Sequence, residues 1–166
     1  DRETGRLYVW LPKDDRPPRL ELSLLDQPLV ELNGVSHVRF EGITFRNGRG
    51  DGLVIRGGSD VTVAGCLVAG FGGKGVIVDG GHRHAVRGCE VRYVGADGVS
   101  VSGGDRLRLE RADHVVENNY IHHYAQWNYC YSAGVDVAGG SYGSLQGSVG
   151  IRIAHNRIHD CPHNGI

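Results

Sequence analysis

The chain has 166 residues, a formal net charge of −1 and 27 glycines, about one residue in six against a usual ~7%. Apolar residues make up 40%, enough for a packed core, and five prolines with no Gly-X-Y period exclude collagen. No apolar run nears the ~20 residues that span a bilayer, the charged first twenty residues carry no signal peptide, and the balanced charge argues against a nucleic-acid partner.

Residues 1–36 match no repeat. Leu7–Leu11, Leu20–Leu25 and Leu29–Leu32 read as strands broken by Pro17-Pro18 and Gln27-Pro28, and are expected to cap the open edge of the repeating region. From residue 37 to 166 a period of 23 takes over. Gly42, Gly65 and Gly88 keep it, as do Gly52, Gly75 and Gly98, with Ile55, Val78 and Val101 in register. Each unit holds three short β-branched segments, such as Leu53-Val54-Ile55-Arg56, Val61-Thr62-Val63 and Cys66-Leu67-Val68, with glycines at the corners. No window sustains a helical period. Three strands per turn with no room for a crossover helix describe an all-β, parallel β-helix.

Insertions lengthen later turns at Asp105–His114, His122–Ala133 and Ser141–Ser148, after which Gly134-Val135-Asp136-Val137 and Ile151-Arg152-Ile153 resume the pattern. Alternation puts Leu53, Val76, Val99, Val135 and Ile55, Val78, Val101, Val137 inside. Val54, Ile77, Ser100 and Asp136 are expected outside. Asn119 and Asn156 should start a side-chain amide ladder at one corner, where Cys66 and Cys89 share the column as small buried thiols. With Cys130 and Cys161 the four cysteines form no C-x-x-C pair, so neither a disulfide framework nor a metal site is expected. Asp51, Lys74 and Asp97 fall in one column and Arg56 sits over Asp79, which reads as ion-pair ladders. The stack ends on an uncapped apolar cross-section at Ile166, so further coils of a longer chain, or a partner, are expected to cover it.

The swollen turns gather the chemistry. Six of nine histidines lie from His114 onward, and five of seven tyrosines lie between Tyr120 and Tyr142. Trp127, Tyr124, Tyr129 and His123 are candidates for holding sugar rings. Asp136 points outward beneath these loops, and Asp160 falls one coil on. A separation of roughly 5–10 Å would suit the carboxylate pair of glycoside hydrolysis. His159 and His163 could orient a carboxylate or move a proton.

Asp1-Arg2-Glu3-Thr4-Gly5-Arg6-Leu7-Tyr8-Val9, Val35–Phe45, Ser132-Ala133-Gly134-Val135 and the run from His155 to Ile166 resemble bacterial right-handed parallel β-helix proteins of carbohydrate metabolism. The last of these is similar to β-helix enzymes related to glycoside hydrolase family 141. That resemblance implies a secreted or periplasmic protein that hydrolyses polysaccharide without a cofactor, with Asp136 and Asp160 as catalytic carboxyls supported by His159 and His163. Two alternatives stand beside it. Asp160-x-Pro162-His163 resembles a motif of alginate epimerases, which suggests a uronic-acid lyase or epimerase, where Ca²⁺, Lys or Arg neutralises a carboxylate. Lys74 and Arg56, two or more coils from the loop cluster, count against it. A non-catalytic, glycan-binding β-helix is the other.

Overall fold

A computed structural model describes residues 1, 3–10, 20–137 and 147–166. Its strands, numbered in chain order, repeat in threes. The first coil holds β1 (Val30–Asn33), β2 (Arg39–Glu41) and β3 (Thr44–Gly48). The second holds β4 (Leu53–Arg56), β5 (Thr62–Ala64) and β6 (Leu67–Phe71), and the third β7 (Val76–Asp79), β8 (Ala85–Arg87) and β9 (Glu90–Val94). The fourth holds β10 (Val99–Ser102), β11 (Val115–Glu117) and β12 (Tyr120–His122), and the fifth β13 (Val135–Asp136), β14 (Arg152–Ala154) and β15 (Arg157–His159). Corresponding strands pair in parallel, giving a first sheet β1-β4-β7-β10-β13, a second β2-β5-β8-β11-β14 and a third β3-β6-β9-β12-β15. The register is the 23-residue step: Leu53 pairs with Val76, and Val76 with Val99. The insertions widen the next step, so Val99 pairs with Val135. All-β, parallel and stacked coil on coil, the arrangement is β-helix-like, as the period implies.

Side chains at alternate positions fill the interior. Leu53, Val76, Val99, Val135, Ile55, Val78 and Val101 are buried in one cluster with Phe45, Val68, Val91 and Ile121 from the third sheet and Val63, Val86 and Val116 from the second. Val137 departs from its expected inward place and is 43% exposed, because β13 stops at Asp136. Val54 and Ser100, expected outside, are buried although neither joins the core cluster.

Two polar columns close the corners. The sharp bend between second and third sheets needs a left-handed residue, which Gly65 supplies at φ 56° and Asn118 supplies at the same φ two coils on. Next to it, Asn119 donates to Val86 O at 3.0 Å and accepts from Cys89 N at 2.9 Å, while Asn156 accepts from Asn119 Nδ2 at 3.0 Å. The expected amide ladder forms. Cys89 and Cys66 carry it on, their thiols donating to Val63 O at 3.5 Å and to Ala64 O at 3.3 Å, and all four cysteines are free. Where the second sheet begins, His84 and His114 stack at 5.1 Å. His84 Nδ1 accepts from Val61 N, and His114 Nδ1 accepts from His84 N, both at 3.1 Å. Burial pushes both imidazoles down, His114 to about 4.

The amino-terminal expectation needs correction. Leu29–Leu32 is expected in the cap, but Val30–Asn33 is the first rung of the first sheet, with Val30 paired to Leu53. The 23-residue step therefore begins before residue 37. Leu29 stands there in place of the glycine that leads the later rungs (Gly52, Gly75, Gly98), which hides it. Residues 20–25 form no strand, although they lie along the first coil: Arg49 N donates to Leu25 O at 2.9 Å, and Glu21 pairs with Arg46 at 2.6 Å. Leu7–Leu11 forms no strand over residues 7–10, and Leu11 lies outside the described residues, as does most of the Ser141–Ser148 expansion.

Candidate functional site

The outer face of the first sheet, where β10 and β13 meet, holds a linked set of charges. Asp97 is 3% exposed, just before β10. Its Oδ1 accepts from Ala133 N at 2.8 Å, and its Oδ2 pairs with Lys74 Nζ at 2.8 Å. One coil below, Asp51 Oδ1 accepts from Lys74 N at 2.7 Å in the same way. The Asp51–Lys74–Asp97 column thus carries one ion pair, and its aspartates also secure the amide of the coil above. Lys74 Nζ donates to Ser100 Oγ at 3.1 Å, and Ser100 Oγ donates to Asp136 Oδ2 at 3.3 Å. Burial raises the Asp136 carboxyl above the ordinary aspartate range, and the nearby Asp97 charge adds to it, against Lys74 and the Ser100 hydrogen bond. A carboxyl that keeps its proton longer than a free aspartate can act as an acid.

Lys74 therefore does not stand apart from the loop cluster. It spans one coil to Ser100, and Ser100 spans the widened step to Asp136. Arg56 stands in register with Asp79 as expected, but its ion pair runs down to Glu31, while Asp79 accepts from Ser102 Oγ at 3.2 Å.

The two expected catalytic aspartates sit on different sheets. Asp136 ends β13 in the first sheet, whereas Asp160 follows β15 in the third. No hydrogen bond or ion pair joins them among the described residues. Asp160 instead takes His159 Nδ1 at 2.8 Å and lies 3.8 Å from His123 Nδ1. His159 Nε2 meets Tyr120 Oη at 3.1 Å, and its ring stacks on His122 at 5.5 Å. His122 reaches His123 Nδ1 at 2.7 Å and Glu90 at 3.3 Å. His163 stands apart and exposed, its ring 6.0 Å from that of Tyr131. The expected grouping thus divides into an aspartate–lysine–serine set on one sheet and a histidine–tyrosine set on another. Both lie in the fifth coil rather than one coil apart, and they do not meet because they occupy different sides of it.

The aromatic candidates divide as well. Tyr124 is fully buried and donates its hydroxyl to Asn164 O at 2.6 Å, so it packs the loop and cannot stack on a sugar. Trp127 is 78% exposed, and Tyr129 is exposed too. Trp127 walls a cavity of about 550 Å³ with Tyr93, Arg49, Gln126, Phe71 and Gly72, at the corner where the third sheet turns into the first. The loop there is tied down: Gln126 N donates to Val94 O at 3.1 Å, and Trp127 N and Asn128 N both donate to Gly95 O, at 3.0 and 2.9 Å. Sequence reasoning missed Tyr93 and Arg49. Tyr93 is on β9 and Arg49 directly follows β3, and only coil stacking sets them beside the fourth-coil loop. It also missed the link from Ser100 to Asp136, although their shared column was legible.

Among the described residues no group of three or more His, Cys, Asp or Glu is placed to hold a metal ion, and no helix is long and apolar enough to cross a membrane. The chain matches no protein-family model, no curated protein and no solved structure.

Proposed function

We propose that this chain is a right-handed β-helix, or part of one, that binds polysaccharide along the outer face of its first sheet and hydrolyses it. Right-handedness is the near-universal sense of parallel strand connections. The observation that supports hydrolysis is the half-buried Asp136 carboxyl, raised by burial and by Asp97, on the sheet that follows the corner cleft walled by Trp127. In this reading Asp136 gives its proton to the leaving glycosidic oxygen. Asp97 is a positioning residue: it anchors Lys74 and sets the charge that Asp136 feels. Asp160 is the candidate for the second carboxylate that such a reaction uses, and Asp160→Asn tests it. Action on an external polysaccharide fits the secreted or periplasmic location implied by the family resemblance. No cofactor is required.

The test is a glycan screen with Asp136→Asn, Asp97→Asn and Asp160→Asn beside the unaltered chain. Loss of cleavage in Asp136→Asn with glycan still bound supports the assignment. Cleavage unchanged in Asp136→Asn overturns it. Glycan binding with no cleavage by any form returns the chain to the non-catalytic class.

One observation favours a uronic-acid lyase or epimerase as a second reading. Lys74 stands one hydrogen-bonded hydroxyl from Asp136, where a cation would neutralise a substrate carboxylate. Its charge is already engaged by Asp97 at 2.8 Å, which ranks this reading second. Products with a 4,5-unsaturated end would reverse the order.

A further inference from the structure

The corner cavity at Trp127 asks for a ligand of mixed character. Trp127 stands out from a loop clamped to the coil edge through Val94 O and Gly95 O, so its large apolar face is exposed and immobilised together. A β-carbon built on Gly95 would lie 2.5 Å from Trp127 Cδ1, so the indole rests on backbone that only glycine leaves open. Tyr93, 49% exposed, forms part of the opposite lining. A fixed aromatic face stacks on a sugar ring with little ordering cost. The floor is mostly glycine and Phe71, and carries no charge.

One cation lines the space. Arg49 is exposed, and among the described residues it takes part in no ion pair and no side-chain hydrogen bond; only its backbone N–H is engaged, by Leu25 O. Three residues before it, Arg46 is paired with Glu21, and Arg92 lies 3.3 Å from Glu90 with its guanidinium over the Tyr93 ring, so both have a charged partner that Arg49 lacks among the described residues. A planar guanidinium left unmatched at the rim of an aromatic cavity suits an oxyanion that can offer two oxygens to its two parallel N–H groups.

We infer that this cavity is a subsite for one sugar residue bearing an anionic group, carboxylate or sulfate, with the ring on Trp127 and the anion on Arg49. The inference rests on the polysaccharide reading above and narrows it to acidic glycans. The cavity lies at the corner before the first sheet, and Asp136 lies on that sheet, so the subsite holds substrate and takes no part in bond cleavage.

Isothermal titration with three probes tests it: oligogalacturonate, its full methyl ester, and a sulfated galactan oligomer. The acidic oligomer of the matching anion should bind at least about ten-fold more tightly than the ester, the factor expected of one charge-assisted hydrogen bond. Preference for oligogalacturonate or for the galactan identifies the anion. Arg49→Gln should remove the preference and keep ester binding, whereas Trp127→Ala should weaken every probe. Equal affinity for acid and ester, a preference that survives Arg49→Gln, or no binding of any probe overturns the inference. An acid preference without cleavage leaves the subsite standing and the hydrolase reading fallen; cleavage without acid preference does the reverse.

Discussion

Acid should loosen the coil stack through His114, and the size of the effect follows from its environment. The imidazole is 1% exposed, with Nδ1 accepting the His84 amide, so the fold requires the neutral ring. Burial holds its pKa at about 4, against 6.5 for the free side chain. The folded-state value is depressed, so the unfolded chain takes up the proton first. Stability is complete above pH 6.5 and is lost as pH falls from 6.5 to about 4. At about 1.36 kcal/mol per pKa unit, the loss from this group between pH 7 and pH 4 is about 3 kcal/mol. His84, shifted the same way, adds to it. In His114→Val, which copies Val61 of the same column, the His84 amide loses its acceptor. That costs roughly 1–3 kcal/mol at both pH values. The informative quantity is therefore the change in unfolding free energy between pH 7 and pH 4, from urea titrations followed by circular dichroism. Carboxylates such as Asp60, held low by Arg83, contribute equally to both proteins and cancel. The unaltered chain should lose about 3 kcal/mol more than the variant over that interval. Equal losses would refute the argument that a neutral, stacked histidine pair is part of the fold.

Asn119→Ala should destabilise by about 2–4 kcal/mol in the same urea assay, since it strands the Cys89 amide and the Val86 carbonyl in the interior. Gly75→Ala should fail to give a cooperative unfolding transition, because its β-carbon would sit 2.5 Å from Gly98 O and 2.6 Å from Val91 Cγ1. Under native conditions a thiol reagent should label the exposed Cys130 first and leave Cys89, buried and raised to about 11, unreacted until the chain unfolds. Asp136→Asn should lower turnover of a cleaved glycan by about 10²–10⁴-fold while melting with the unaltered chain.

Much of the architecture was legible along the chain because a coil of β-helix is a local object. Its length sets the period, its alternation sets the faces, and its left-handed corners favour glycine or asparagine. Hence the 23-residue step, the inward column from Leu53 to Val135 and the Asn119–Asn156 ladder could each be read from residue spacing. The first rung at Val30–Asn33 escaped because Leu29 replaces the glycine that leads the later rungs, though its pairing with β4 is regular.

The site was decided between coils, where spacing says little. Lys74 reaches Ser100 because its side chain is long enough to cross one rung, and Asp97 holds it there. Tyr124 turned inward because its hydroxyl found Asn164 O at the edge of the core, while Trp127, three residues on, was left outside. Asp136 and Asp160 went to different sheets, since a residue's position around the coil, rather than its coil number, fixes its neighbours. The sequence alone determined the rung and its repeat, through backbone geometry that acts within about twenty residues. Which side chains share a surface depended on stacking, because those contacts join residues 23 to 36 positions apart and on the reach of each side chain across the gap.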